Sequence, residues 1–380
     1  SCGRRTFPVA ELLKNKISPK PYLAHLMYPK FSLNINSTDI IFTPKHDITP
    51  KKLNLVRTLG TPNQIKYLLD KNFTSLKNIN KPVISILLGG DHGYFKLEVN
   101  EVKYIIDKSI KNLSKAKTDF PLAKLYKNYK LIKKNQVNLV VVASPTKSHF
   151  IIAKYFLDKF HVLVEKPLSM SLKEVKILEQ VSKKNNKLLF VDYPFLFSGS
   201  INYINKVIKS GKYGSLLEIE TYREQAPIRT DSNVVWDLAV HDISILNYLL
   251  KQNPKKCNSL KIKTSNTSLA DTAYINLIYN KKLNVFIKNS WISPIKVRLM
   301  KFKFKKAILY CDENEGVHKI KIFVKNKSGS QYNIKMPEIN LLEPLSQLVN
   351  YIHRSIVNKN NKIFENNLNI NITRTLEKLA

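Results

Sequence analysis

The sequence predicts an α/β fold: a doubly wound parallel sheet with an atypical first βα unit, then an α+β domain on a largely antiparallel open sheet. Three observations carry the prediction. Between residues 101 and 192, short apolar runs alternate with amphipathic segments of ten to fifteen residues, the pattern of strands joined by crossover helices. After Tyr193, β-type segments follow one another without helices between them, as an antiparallel sheet requires. The residues with chemical potential (Gly90, Asp107, Ser144 to Thr146 and Glu165 to Pro167) all fall at the carboxyl ends of predicted strands, where parallel sheets bind ligands.

Taken in order, residues 1–80 read as a separate N-terminal α/β segment. A helix is expected at 9–15, extended runs at 22–27 and 39–43, and turns at Pro44-Lys45-His46-Asp47 and Gly60-Thr61-Pro62-Asn63. Residues 82–88 form a continuous apolar run before Gly89-Gly90, the mark of a strand buried on both faces. Strands follow at 102–106, 139–143, 162–164 and 188–192, with helices at 148–159 and 171–185. This second region, 81–193, is expected to bind a dinucleotide. The third, 194–380, opens with a helix at 201–210 closed by Gly211. It continues with β segments at 216–222, 273–279, 284–291, 307–310 and 319–324 and is expected to hold substrate and subunit contacts.

Composition excludes several classes. Apolar residues make up 43% of the chain and charged residues 24%, a globular balance rather than a disordered one. No apolar run approaches the length of a membrane span. The net charge of +35 invites a nucleic-acid reading, but the basic residues are 55 Lys against 8 Arg, spread along the whole chain. Nucleic-acid readers cluster their charge and favour Arg for bidentate contacts. A Lys- and Asn-rich, Arg-poor chain is what AT-rich coding produces, so no nucleic-acid partner is expected. Cys2, Cys257 and Cys311 lie far apart, which argues against a disulfide framework or a zinc site and fits a cytoplasmic protein. The start, Ser1-Cys2-Gly3-Arg4-Arg5, has no apolar segment after it and reads as a chain continuing from upstream rather than a signal peptide.

Two constellations can carry chemistry. Glu165-Lys166-Pro167 places a lysine at a strand end, where it can donate to a hydroxyl or carbonyl oxygen; the plainer reading is a surface Lys before a turn-forming Pro. In Trp236-Asp237-Leu238-Ala239-Val240-His241-Asp242, helical spacing puts Asp237 and His241 on one face, so the carboxylate can orient the imidazole as a base. The plainer reading there is an Asp favourable to the helix dipole and a structural His. No second pair with ligand spacing supports a metal.

Together and in this order, Ser144-Pro145-Thr146 with His149, His161 to Leu168, and Asp237 with His241-Asp242 resemble the Gfo/Idh/MocA oxidoreductases. Asn233 to Asp242, Ser290 to Arg298 and Glu343-Pro344-Leu345 resemble a branch of that family found with surface-sugar biosynthesis. The resemblance runs from about residue 99 to the C-terminus, close to three quarters of the chain. It implies a Rossmann domain joined to an open-sheet domain, and a homo-oligomer formed through that sheet. It further implies NAD-dependent hydride transfer to or from a sugar, with a nucleotide-sugar expected and NADP less favoured. By position, Lys166 would be the catalytic lysine, His241 the acid/base and Asp237 its partner. Gly89, Gly90, Gly93, Asp107, Ser144, Pro145, Thr146, His149 and Glu165 would face the cofactor, with Asp107 on the adenosine ribose. Tyr193, Arg223, Trp236, Trp291 and Arg298 would lie on the substrate side, core packing being the other reading of the two tryptophans.

The pattern breaks at its start. Leu88-Gly89-Gly90-Asp91-His92-Gly93 supplies only the second and third glycines of G-x-G-x-x-G in phase. Asp107 follows Gly93 by 14 residues where the fingerprint asks for about 20. Upstream, Ser1 to Thr6, Pro44 to Asp47, Thr58 to Asn63 and Ile86 to Leu97 resemble the mitochondrial-fission ELM-type family, whose bacterial members look like GT-B glycosyltransferases. The expectation is a junction near 97–100, where an ELM-like piece replaces the oxidoreductase's first strand and helix. Two further readings follow: a catalytically impaired fusion with a defective cofactor loop, and a GT-B-like sugar-transferase fragment.

Overall fold

The computed structural model describes residues 102–132, 137–264, 269–280, 283–326, 331–358 and 367–380, with the backbone of four earlier strands. The chain divides into two compact units, 1–81 and 82–380. In the first, β1 (Ala24–Leu26), β2 (Ile40–Pro44) and β3 (Leu55–Thr58) form a parallel sheet in that order. The expected helix at 9–15 and the turn at Gly60 to Asn63 lie outside the described residues, as do Gly89, Gly90 and Gly93.

The second unit opens with six parallel strands: β4 (Ile84–Leu88), β5 (Val102–Ile106), β6 (Lys124–Tyr126), β7 (Leu139–Ala143), β8 (His161–Val164) and β9 (Leu189–Val191). Their spatial order is β6-β5-β4-β7-β8-β9, which reverses direction between β4 and β7. That reversal opens the crevice where doubly wound sheets bind dinucleotides. Val140 to Val142 and Val162 to Val164 are at most 3% exposed because helices cover the sheet, hence the unbroken apolar runs. The crossovers include α1 (Ile110–Asp119), α2 (Thr146–Leu157) and α3 (Leu172–Lys184). α3 buries Val175 and Leu178 at helical spacing and ends in Lys183 and Lys184, which suit the negative end of its dipole.

Beyond β9, α4 (Gly199–Ser210) ends at Gly211, whose φ of +63° is the left-handed cap glycine tolerates. Eight strands then build one sheet: β10 (Leu216–Glu224), β11 (Lys256–Ile262), β12 (Thr272–Ile278), β13 (Asn284–Ser290), β14 (Val297–Phe304), β15 (Ala307–Asp312), β16 (Ile320–Lys325) and β17 (Tyr332–Lys335). Every pairing is antiparallel except β10 with β13. Inward residues such as Ile219, Ile275, Val285, Phe302 and Leu309 join the apolar core of the parallel sheet. A π-helical turn (Val235–Ala239) leads into α5 (Val240–Leu250), and α6 (Pro344–Asn358) and α7 (Leu368–Leu379) close the chain. Among the described residues, no helix is long and apolar enough to cross a membrane.

Candidate active site

Parallel strands deliver their carboxyl ends to one edge of the sheet. Ser144, Glu165-Lys166 and Asp192 directly follow β7, β8 and β9, with Glu165 N–H donating to Val142 O and Asp192 N–H to Val164 O, each at 2.9 Å. Opposite them stands the π-helical turn, capped by Asn233 Oδ1, which accepts from the N–H groups of Val235 and Trp236. A π turn inside a helical stretch widens the backbone and is common at functional sites. Here it turns Asp237 toward Lys166.

Lys166 Nζ donates to Asp237 Oδ1 at 2.9 Å and to the Asp237 carbonyl at 2.8 Å. Asp237 Oδ2 accepts from Trp291 Nε1 at 2.9 Å, and Arg229 lies 3.7 Å from Oδ1. The expected pairing of Asp237 with His241 is therefore corrected: a charged ammonium and an indole N–H take the carboxylate, and charge-assisted bonds are the stronger ones. His241 instead packs edge-on against Phe195, with ring centroids 5.1 Å apart, and its buried Nδ1 has no hydrogen-bond partner. Burial holds its pKa well below the ordinary histidine range, and the cations Lys166, Arg223 and Arg298 add to that. A neutral imidazole beside an ammonium can accept a proton while the ammonium polarises an oxygen.

Below His241, Asp242 is 1% exposed, with Oδ1 at 3.4 Å from the Arg223 guanidinium and Oδ2 accepting from Asn289 Nδ2 at 3.0 Å. Arg223 also stacks on Phe195, 4.6 Å from the ring centre. His149, at 1% exposure, places Nε2 2.7 Å from Ser144 O and Nδ1 2.8 Å from Pro167 O, tying the end of β7 to the turn that carries Lys166. Burial keeps its pKa below the ordinary value against the upward pull of the two carbonyls.

At the end of β5, Asp107 accepts from Ser109 N–H at 2.7 Å and from Asn112 Nδ2 at 3.0 Å. Each oxygen keeps lone-pair capacity for a further hydroxyl donor, so this carboxylate fits a ribose diol. Ser144 Oγ bonds Ser148 Oγ at 2.7 Å, Pro145 caps α2 and Thr146 opens it. Glu165 is engaged internally: Oε2 accepts from Lys166 N–H at 3.1 Å. Trp236 is buried beside Asp237, and Arg298 lies across from Arg223 on the sheet. Tyr193 departs from its expected place: it is buried in the core, where burial and the charge of Glu179 push its hydroxyl up, with no hydrogen bond to Lys166, Asp237 or His241.

Sequence reasoning missed two groups. Arg229 forms a bidentate pair with Asp231, two bonds of 2.8 Å that hold the Asp231 carboxyl down at about 2. A signal existed: in a chain with 8 Arg among 63 basic residues, an arginine resists the lysine bias, and Arg223, Arg229 and Arg298 all converge here. The second is Asp192, 7% exposed, whose carboxyl is pushed up by burial and by Glu165 and whose Oδ1 has no partner. Among the described residues, no cluster of three metal-ligating side chains occurs.

The fold and site define a class: a doubly wound nucleotide-binding domain joined to an open-sheet domain, with a Lys–Asp pair and a histidine where the two meet. Residues 86–193 match the family described as oxidoreductase family, NAD-binding Rossmann fold. Residues 1–120 match the mitochondrial fission ELM1 family, so the two matches overlap at 86–120. Myo-inositol 2-dehydrogenase from Thermotoga maritima is 29% identical over 147 residues, 36% of this chain and 44% of that protein. UDP-N-acetylglucosamine 3-dehydrogenase from Acidithiobacillus ferrooxidans is 25% identical over 121 residues, 31% of this chain and 38% of that protein. The chain thus spans less than half the length of each of these relatives. In structure, that second dehydrogenase superposes with a TM-score of 0.66 at 14% identity, covering 78% of this chain and 96% of the other. A 3-ketoreductase from Actinomadura kijaniata, solved with TDP-benzene and NADP, gives 0.69 at 12%, covering 79% and 97%. At such identities the likeness is one of fold.

Proposed function

We propose that the chain is an NAD-dependent oxidoreductase acting on a carbinol carbon of a sugar, with a nucleotide-sugar as the favoured substrate. The observation that carries this reading is the Lys166–Asp237 pair at 2.9 Å beside a half-buried His241, whose Nδ1 is buried without a partner and whose pKa is held well below the ordinary range. Oxidising a carbinol removes a hydride from carbon and a proton from oxygen, and a bound nicotinamide dinucleotide supplies the hydride acceptor. His241 takes the hydroxyl proton. Lys166, held by both the carboxylate and the carbonyl of Asp237, donates to the substrate oxygen and stabilises its developing charge. Asp237 is a positioning residue for Lys166, and Trp291 fixes Asp237. Asp107 would hold the adenosine ribose, where its negative charge disfavours the phosphate of NADP, and Ser144, Pro145, Thr146 and His149 would border the cofactor.

The test is a titration with NADH followed by energy transfer from tryptophan, then turnover on a panel of sugars and nucleotide-sugars. Saturable binding, tighter for NADH than for NADPH, is expected. Absence of saturation up to millimolar cofactor would favour the impaired-fusion alternative. With turnover in hand, kcat/KM should hold level at neutral pH and fall only below the ordinary histidine pKa of 6.5, because the folded-state value lies lower and the accepting form persists down to it.

Residues 81–193 serve as the cofactor domain and 194–380 as the substrate and subunit domain in this reading, and the cytoplasm is the proposed compartment. The outer face of the eight-stranded sheet supports a homo-oligomer: Leu260 on β11 is 62% exposed, and Tyr274 on β12 and Phe286 on β13 continue the same face at 45% and 46%. A second copy seated there should give a dimer or larger species by light scattering, and Phe286→Lys should shift it toward monomer. A monomeric parent would remove this part of the proposal.

A further inference from the structure

The inward row at the carboxyl end of β10 holds more positive charge than its acids balance. Arg223 on β10 is the register partner of Arg298 on β14, and on its other side the partner of Asn289 on β13. Like charges directly opposite on neighbouring strands are unfavourable unless an anion compensates them. One acid, Asp242, lies beneath the row, and its oxygens go to Arg223 and Asn289. The acid next to Arg298 across β15, Glu313, accepts from Lys319 at 2.9 Å and from Ser198 at 3.0 Å. The other cations of the site also have acids: Lys166 has Asp237, and Arg229 has Asp231.

Arg298 differs from all of these. Its guanidinium donates to backbone carbonyls, Val297 O at 2.7 Å, Gln225 O at 2.9 Å and Glu224 O, and, among the described residues, to no carboxylate. Carbonyls fix its orientation without neutralising it. In the same cluster, Arg223 Nε, Asn289 Oδ1 and His241 Nδ1 are buried without partners. Buried polar atoms are rarely left unpaired, and three together mark a place made for a ligand's polar atoms. Arg223 is 4% exposed and forms the floor, whereas Arg298 is only half-buried and open to approach.

We propose that this row is a subsite for an anionic substituent on the substrate, a carboxylate or phosphate docked on Arg298, so that the substrate class is an acidic sugar rather than a neutral one. The proposal rests on the oxidoreductase reading for the identity of the site, but its charge argument concerns binding alone. A carboxylate there takes two N–H donors in the planar geometry that guanidinium offers. It also sets the orientation of the ring, which decides which carbinol meets Lys166 and His241.

Both tryptophans of the chain, Trp236 and Trp291, flank or bond Asp237, so intrinsic fluorescence reports this site without turnover. D-glucuronate, glucose 6-phosphate and D-glucose are titrated separately at low ionic strength, into the parent, Arg298→Gln and Arg298→Lys. At least one acidic sugar is expected to bind tenfold or more tightly than glucose, and which one identifies carboxylate or phosphate as the source. Arg298→Gln should erase the preference, Arg298→Lys should keep part of it, and added salt should weaken it in the parent. Equal constants for acidic and neutral sugars would overturn the proposal. So would a preference that survives in Arg298→Gln, or failure of every sugar to saturate. The NADH titration separates the two levels: cofactor binding without anion preference removes the subsite alone, and anion preference without cofactor binding removes the oxidoreductase reading alone.

Discussion

Replacing Lys166 with Met should lower kcat by about 10²–10⁴-fold, the range for removing a positioned proton donor or charge stabiliser, while the dissociation constant for NADH stays within a few-fold. The asymmetry follows from geometry. Lys166 Nζ is held on Asp237 and follows β8, three strands from β5, which Asp107 follows, so in this reading it meets the reacting oxygen rather than the adenosine end of the dinucleotide. The variant should also fold, because Asp237 retains Trp291 at 2.9 Å and Arg229 at 3.7 Å and is not left as a lone buried charge. Arginine should not rescue it, since a planar fork does not replace a point charge held by a carboxylate and a carbonyl. Asp237→Asn offers the complementary measurement. If Asp237 acts through Lys166, the double variant should be scarcely slower than Lys166→Met alone, as for residues that work as a unit. Undiminished turnover in Lys166→Met, or additive losses in the pair, would remove these roles.

How much of this was legible in the sequence depends on what each residue had to contact. The strand at 139–143 was plain because burial on both faces demands an unbroken apolar run, and the one at 102–106 because only Lys103 interrupts its buried apolar residues; both end where ligands bind. α1 went unread because IKNLSKAKTD buries only Leu113 and Ala116, too sparse a stripe to show a helical period. β11 (KCNSLKI), an edge strand with no fully buried residue, was hidden for a similar reason. β14 was missed although Met300, Phe302 and Phe304 alternate inward, a period-2 signal among lysines. In the site, Lys166, Asp237 and His241 could be picked out by motif, but which of them touch could not. Helical spacing paired Asp237 with His241, whereas the π turn and a long-range ammonium decided otherwise. Asp192 and Arg229 gain their meaning from neighbours 27 and 8 residues away, at Glu165 and Asp237, and spacing along one element does not reveal such contacts.

Asp242→Ala should cost about 3–5 kcal/mol of stability, the usual loss when one partner of a buried ion pair is removed. Asp242 is 1% exposed, and its two oxygens are the anionic partners of Arg223 and Asn289, themselves 4% and 0% exposed. Truncation leaves a guanidinium with no counter-charge in the core and an amide with neither end bonded, since Asn289 Oδ1 already lacks a partner. The loss should appear as a lower Tm, on the order of 10 °C for a domain of this size, and a lower urea midpoint. Asp242→Asn separates charge from hydrogen bonding. Rotating the Asn289 amide would let its unpaired oxygen accept from the new amide group, so that variant should recover the hydrogen bond but not the ion pair and fall between parent and Asp242→Ala. Its shortfall from the parent then measures the charge term, because shape and bonding capacity are nearly kept. A Tm for Asp242→Ala within a degree or two of the parent would mean that Arg223 is neutralised some other way. The charge imbalance that the row of Arg223 and Arg298 presents to a ligand would then have to be recounted without Asp242.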